Sequence, residues 1–289
     1  MIQVGAQCPG CLHVLVAGLQ DWHRVCRFCS YEGSTLSVEI DTDVREEEHV
    51  IDEAMRQQGL EHLRQRNFQT LMDDLQTRVP IVNGRKPRLL DVGCAHGWFL
   101  EAGRDRFEGV GIEPDARIAA IAEDKGHDVR RGFFPDVLAS GERFDVIVFN
   151  DVLEHIPDVG AALTACFAHL RPGGWVIVNA PARTGVLYRT ARVMLRLGMP
   201  GAFNRLWQKG FPSPHVHYFD DASMRAIADR AGLSVSAITT LPSMSSSGLY
   251  ARIRTDPSVS VFKASAMATM LSGAAPLLWR MPSDIKVWV

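Results

Sequence analysis

Arg88-Leu89-Leu90-Asp91-Val92-Gly93-Cys94-Ala95-His96-Gly97-Trp98-Phe99 carries the decisive pattern of this chain: an apolar run closed by an acid, then a glycine-bearing turn. Val110-Gly111-Ile112-Glu113-Pro114-Asp115 repeats the apolar run and the closing acid further on. Such a pair predicts adjacent parallel strands whose carboxyl ends frame an adenosine-bearing ligand. The turn has neither the lysine nor the spacing of a phosphate-binding loop, so a nucleotide phosphate is not the expected guest. Gly93 permits the sharp turn and Gly97 permits close packing of the next helix. That helix aims its first N–H groups at the ligand. Glu113 stands where a carboxylate accepts both ribose hydroxyls and repels a 2′-phosphate.

Outward from this turn, strands and helices alternate. Strands are expected at 88–92, 109–113, about 127–131, 144–150 and 174–179, and helices at 97–106, 115–125, 158–170 and 220–231. Right-handed crossovers then build a mostly parallel sheet covered by helices on both faces. Short strands at about 234–241 and 284–289 bring the α/β sheet to seven strands. Upstream, residues 46–78 show helical spacing of apolar side chains, with Gly59 as a candidate break, behind an acidic linker from Asp41 to Glu48. The expected organisation is a zinc ribbon over 1–36, a linker and helices over 37–80, and the main domain over 81–289 with a helical cap at about 183–214.

The 289 residues suffice for one α/β domain and a small appendage. A formal net charge of −2 lacks the basic excess usual in nucleic-acid binding. Met1-Ile2-Gln3-Val4 opens without a signal-peptide pattern and the cysteines are unevenly placed, so a reducing cytoplasm is expected. Cys8-Pro9-Gly10-Cys11 and Cys26-Arg27-Phe28-Cys29 form C-x2-C-x14-C-x2-C. Two such knuckles turn four thiolates toward one point, the ligand set of a structural Zn2+ site; two disulfides or a redox pair are the competing readings. So short a segment needs the metal's binding energy to fold. His13 and His23 are read as surface histidines. Trp22, Phe28 and Tyr31 suit either base stacking or packing of the ribbon on its neighbour. Arg24 and Arg27 are offset by Asp21 and Glu32, which favours a structural or substrate-gating role over a nucleic-acid reader.

Two later blocks complete the pattern. Phe144-Asp145-Val146-Ile147-Val148-Phe149-Asn150 reads as a buried strand, and Asp151-Val152-Leu153-Glu154-His155-Ile156 places polar residues at its end. Leu170-Arg171-Pro172-Gly173-Gly174-Trp175-Val176-Ile177-Val178 reads as a helix stop, a tight turn and a fifth strand. In this order and spacing the four segments resemble the class I S-adenosylmethionine (SAM)-dependent methyltransferases. The resemblance is greatest to the small-molecule, lipid and glycan branch with leucine–glutamate–histidine after the fourth strand. It covers about residues 85–240 and implies a Rossmann-like fold. It implies that Asp91, Gly93, Cys94 and Gly97, with Ala95 and Phe99 in the same turn, line the methionine end of SAM. Glu113 would hold the ribose, Pro114 would lie beside the adenine, and Gly132-Phe133-Phe134 would clasp its edge and face. Asn150, Asp151 and Val152 would lie against the methionine part and the sulfonium. Ala95 replaces the family's usual glycine, and the bulky Trp98 walls the site. Cys94 is read as inert packing.

Methyl transfer is an in-line displacement that depends on alignment, and an oxygen or nitrogen acceptor must also lose a proton. Phe211-Pro212-Ser213-Pro214-His215-Val216-His217-Tyr218-Phe219 resembles the His-x-His-Tyr-Phe stretch that borders the acceptor pocket in the same branch. His217 is the first candidate for base or positioning group, then His155, then His215, with Tyr218 able to orient the acceptor. Loop anchoring is the competing role for each histidine. The insertion from Arg183 to Gly210 contains no acid and mixes arginines with apolar residues. It is a candidate for peripheral contact with an anionic membrane or for gripping an acidic substrate, against a cap simply packed on the domain. Residues 259–279 approach the length of a membrane span but are rich in polar residues, so a helix of the domain is favoured over a membrane-associated one.

The leading expectation is therefore a SAM-dependent methyltransferase acting on an oxygen or nitrogen of a small molecule, glycan or lipid precursor. An RNA-modifying enzyme that reads its substrate through the ribbon is the first alternative. The neutral charge and Asn150-Asp151-Val152-Leu153, where adenine-N6 enzymes carry a proline pair, argue against it. A non-catalytic SAM-binding scaffold is the second, disfavoured by the intact Asp91, Glu113 and His217. No pattern specifies an oligomeric state.

Overall fold

A computed structural model describes residues 5–39, 53–243, 249–254, 259–278 and 283–289. The N-terminal segment forms three short strands, β1 (Val16–Ala17), β2 (His23–Val25) and β3 (Glu32–Ser34). Helix α1 (Glu53–Arg78) runs unbroken through Gly59. One glycine costs a helix only about 1 kcal/mol, too little to divide one of this length. The expected helix start at 46–52 and the acidic linker from Asp41 to Glu48 lie outside the described residues.

The alternation then follows as β4 (Arg88–Val92), α2 (Trp98–Gly103), β5 (Glu108–Glu113), α3 (Ala116–Asp124), β6 (Asp128–Arg131), β7 (Phe144–Asn150), α4 (Val159–His169) and β8 (Leu170–Pro181). The cap consists of α5 (Val186–Arg196) and α6 (Gly201–Leu206). After it come β9 (His217–Tyr218), α7 (Asp221–Arg230), β10 (Ile238–Leu241), α8 (Leu249–Arg254), α9 (Val261–Leu278) and β11 (Ile285–Trp288).

Seven strands form the main sheet in the order β10-β11-β8-β7-β4-β5-β6. The inner strands β4, β5, β6, β7 and β8 pair in parallel, while β11 is antiparallel to both β8 and β10. Consecutive side chains of β4 enter opposite cores: Leu90 and Val92 meet α4 and α7, and Leu89 meets α1 and α2. Burial on both faces is why these strands read as continuous apolar runs. The tight turn expected at Arg171–Gly174 is instead a bulge within a longer strand. Phe144 pairs with Leu170 and Val146 with Trp175, so the intervening residues of β8 loop out of register. The strand expected at 234–241 is confined to Ile238–Leu241, since before it Ser236 and Ala237 both direct their amides to the Val289 carbonyl.

A second sheet has the order β1-β2-β3-β9, in which Glu32 pairs with Tyr218 and Gly33 with His217. The N-terminal unit thus borrows its fourth strand from the segment that precedes α7. Its Cys8, Leu15 and Tyr31 belong to the same core as β4 and β7. Trp22 is buried with Tyr188, Phe203, Trp207 and Tyr218, an aromatic cluster that joins the N-terminal unit to the cap and to β9. Phe28 alone of the three ribbon aromatics is exposed, stacked on His13.

Candidate functional site

The carboxyl ends of β4 and β7 meet at a pocket lined by Asp91, Gly93, Cys94, Ala95, His96, Trp98, Phe99 and Asn150. Gly93 has φ +72°, and a Cβ there would lie 2.5 Å from Val152 Cγ2, so only glycine lets the turn close on the end of β7. Ala95 also adopts positive φ, at +45°, in a region where a methyl group is strained. It is held there by its own N–H, which donates to Glu113 Oε2 at 3.0 Å. Glu113 Oε1 accepts from the Asp115 amide at 3.0 Å, so the turn after β4 and the turn after β5 are clamped by one carboxylate. Cys94 is buried against Gly111, and burial pushes its thiol far above the ordinary range, as inert packing requires.

Asp91 is 2% exposed. Burial and the nearby Glu113 charge push its carboxyl up to about 8, against a long 3.4 Å bond from Asn150 Nδ2. Asp91 lines the pocket and the Glu113 charge is near enough to act on it, and two such buried acids favour a cationic guest and repel a phosphate. Phe134 packs edge-on against Phe149, while Phe133 and Pro114 are more exposed than the strand residues and, like Gly132, are not among the residues that line this pocket.

Two lining residues come from an element that sequence reasoning did not connect to the site. Arg64 and Phe68 of α1 complete the pocket, and Arg64 Nη2 lies 3.6 Å from Asp151 Oδ2. Their i,i+4 spacing in register with the apolar stripe Leu71, Leu75 was the available signal: a basic residue where the buried face continues.

The histidines separate sharply. His217, 1% exposed, has both ring nitrogens engaged: Nε2 donates to the Ile156 carbonyl at 2.8 Å and Nδ1 accepts from the Tyr31 hydroxyl. Burial depresses its pKa to about 4. The geometry is that of a neutral anchor between β9, the ribbon and the segment after β7. Tyr218 is likewise buried in the aromatic cluster, its hydroxyl donating to the Leu206 carbonyl at 3.0 Å. His155 is half-buried, and Nδ1 donates to the Pro214 carbonyl at 3.0 Å, the tautomer that puts the lone pair on Nε2. His215 stacks edge-on to His155 with centroids 4.8 Å apart, and burial holds its pKa well below the usual value. Near both lies Glu154, whose carboxyl is pushed well up by burial and by Asp151.

The four N-terminal cysteines are all free, and their sulfurs lie within 4.8 Å of one another. The nearest pairs, Cys8–Cys29 and Cys11–Cys26, stand at 3.3 Å, too far for disulfides and each drawn from both knuckles. Burial raises the Cys8 thiol to about 11 and the Cys29 thiol further still, a condition that a bound dication reverses. The donor set therefore fits a tetrahedral metal site. His23 is not a surface histidine: it is fully buried and pairs with Glu32 at 3.0 Å. Burial alone would raise the Glu32 carboxyl, but the His23 hydrogen bond and the Arg183 charge bring it down to about 2. Arg183 at 2.8 Å, Arg192 at 3.1 Å and the Tyr188 hydroxyl complete its shell, so one ribbon carboxylate ties down the start of the cap.

The model of the methyltransferase-domain family matches residues 60–238. Ubiquinone biosynthesis O-methyltransferases are similar over a shorter stretch. That of Bradyrhizobium sp. is 38% identical over 99 residues, covering 32% of this chain and 39% of the relative. That of Cereibacter sphaeroides is 39% identical over 99 residues, covering 32% and 40%. The chain thus spans about two-fifths of the length of the curated relatives it matches. Among solved structures, a chain of the Haloferax volcanii complex between the Trm112 methyltransferase activator and a methyltransferase aligns with TM-score 0.55 at 16% identity, covering 86% of this chain and 99% of that one. The cyclopropane synthase MmaA2 of Mycobacterium tuberculosis aligns with TM-score 0.52 at 16% identity, covering 76% and 82%. At such identities the likeness shows a shared fold.

Proposed function

Because the chain belongs to the methyltransferase-domain family, we propose that it transfers the methyl group of SAM to an oxygen of a small molecule. The observation that carries this reading is the buried acid pair Asp91 and Glu113 at adjacent parallel strand ends, a pocket suited to a cationic adenosine ligand. When bound, SAM supplies an electrophilic methyl group. Asp91 and Arg64 are assigned to its amino-acid end, one charge for each of its two charged groups. Glu113 is assigned to the ribose, and Phe133 and Phe134 to the adenine. The similarity to ubiquinone O-methyltransferases supports oxygen over nitrogen as the acceptor atom.

On the acceptor side, the half-buried His155 is more accessible to a hydroxyl than the fully buried His217, whose nitrogens bond to Ile156 and Tyr31. His217 and Tyr218 are assigned to holding the wall. Zinc is assigned to Cys8, Cys11, Cys26 and Cys29, where it fixes the ribbon that presents Tyr31 to His217. The exposed face of α5 and the turn after it, with Val193, Leu197 and Met199 beside Arg189 and Arg196, is assigned to an anionic lipid surface.

Incubation with methyl-labelled SAM and a panel of hydroxylated aromatic, glycan and lipid-precursor acceptors tests the activity. Label is expected in an oxygen-linked methyl group, and His155→Ala should slow transfer about 100-fold or more while sparing SAM binding. Label confined to nitrogen or carbon would overturn the acceptor assignment.

A further inference from the structure

The ribbon reaches the acceptor side through one hydroxyl. Tyr31, directly before β3, is fully buried, and its backbone carbonyl accepts from the Cys26 amide at 2.8 Å, which pins it to the second cysteine knuckle. Its ring packs beside Phe219 and His217, a task that phenylalanine would perform as well. A buried hydroxyl is costly without a partner, and this one meets His217 Nδ1. The other ring nitrogen, Nε2, lies 2.8 Å from the Ile156 carbonyl. A carbonyl only accepts, so Nε2 carries the proton, Nδ1 is bare, and the Tyr31 hydroxyl donates to it. This tautomer is satisfied at both ends. Without the hydroxyl, Nδ1 would be a buried acceptor left unpaired, and the ring would gain by turning or changing tautomer, which breaks the bond to Ile156.

Ile156 follows His155 in the turn after β7, and both neighbours of His155 are held by their carbonyls. That of Glu154 accepts from the Val216 amide at 2.8 Å, and that of Ile156 from His217 Nε2. The His155 ring is fastened to the same segment through the Pro214 carbonyl at 3.0 Å. On its other side this segment is backed by β3. The Ser34 amide donates to the Val216 carbonyl at 3.0 Å, Ser34 Oγ donates to the His215 carbonyl at 3.2 Å, and Gly33 pairs with His217. The ribbon, the 214–217 segment and the turn that carries His155 are thus successive layers. Among the described residues, none that lines the pocket at the ends of β4 and β7 belongs to the ribbon.

We propose that Tyr31 is a positioning residue for the acceptor side: through His217 it fixes the Ile156 carbonyl, and with it the place and direction of the His155 ring. The inference rests on the methyltransferase reading, which gives His155 an acceptor hydroxyl to handle. It extends that reading by giving the ribbon a part in methyl transfer and none in SAM binding. The backbone bonds of Gly33 and Ser34 hold the 214–217 segment with or without the Tyr31 hydroxyl, so removing that hydroxyl alone frees the imidazole and leaves the layers assembled. Misplacing a reacting group by an ångström costs about 100-fold in rate, so a small release of this turn registers in turnover.

Nuclear magnetic resonance of the full-length, zinc-loaded protein with isotopically labelled histidine nitrogens tests this, since it reads the tautomer and hydrogen bonding of each imidazole. His217 is expected as a single tautomer protonated on Nε2. Tyr31→Phe should abolish the hydrogen-bond shift of His217 Nδ1 and also move the ring signals of His155. Phe28→Ala, which removes the exposed ribbon aromatic stacked on His13, should leave His155 unmoved. In Tyr31→Phe, zinc content and SAM affinity should match the native chain, while transfer from methyl-labelled SAM to the hydroxylated acceptor panel should fall about tenfold or more. His155 signals that Tyr31→Phe does not move, or that Phe28→Ala moves equally, overturn the proposal. So does loss of zinc or of SAM binding in Tyr31→Phe, which would mark a general structural role, and so does unchanged transfer. If the native chain binds no SAM or methylates no acceptor, the methyltransferase reading fails by itself, and the histidine signals still decide whether Tyr31 positions His155.

Discussion

At Asp91 a single proton reports on the pocket. The carboxyl of the ligand-free protein is held up to about 8 by burial. A cationic ligand favours its ionised form, so binding below that pH must expel the proton. SAM affinity is therefore expected to rise from about pH 6 to about pH 8, by no more than tenfold per pH unit for one proton. Asp91→Asn should bind weakly and without that slope; calorimetry across the range measures both. His217 teaches a different lesson at the same scale. Its motif pointed to a base, yet the Tyr31 hydroxyl and the Ile156 carbonyl occupy both nitrogens. Nothing near His217 in the sequence could disclose a partner 186 residues away. The positions of Asp91, Gly93 and Glu113 were legible because local turns and strand ends set them.

Among the elements, the parallel strands were legible for a physical reason: burial on both faces turns each into an apolar run closed by a polar residue. Strand β9, only two residues long, carries no such pattern, and its pairing with β3 is decided by tertiary contact. The ribbon therefore reads as a separate appendage in sequence but is built into the main domain through β9, Tyr31 and Glu32. This integration carries a prediction. Metal analysis should return about one zinc per chain for the four-thiolate site. Stripping it with a chelator should lower the unfolding temperature of the whole chain in one transition, since the ribbon core is continuous with that of the sheet. A metal-free protein with unchanged unfolding would refute the zinc assignment.

For the whole molecule, the cap and the ribbon are locked to one another by Glu32 through Arg183 and Arg192. The outer face of α5 and its C-cap remain exposed, with Val193 at 54% and Leu197 at 69%. Among the described residues no helix is long and apolar enough to cross a membrane, and α9 runs as a helix returning the chain toward β11. Contact with lipid would thus be peripheral. The protein is expected to float with vesicles containing anionic lipid at low salt and to be released as salt rises, with Arg189→Glu and Arg196→Glu abolishing flotation. Equal flotation with neutral vesicles, or none with either, would remove the membrane from the account.

The reading of the chain as a methyltransferase stands on SAM occupying the ends of β4 and β5. Calorimetric titration of SAM into the full-length protein tests that most directly. Saturable binding at one SAM per chain is predicted, with Glu113→Ala weakening it about tenfold or more through loss of charge-assisted hydrogen bonds to the ribose. Absence of saturable binding, or a Glu113→Ala variant that binds SAM as tightly as the native chain, would contradict it.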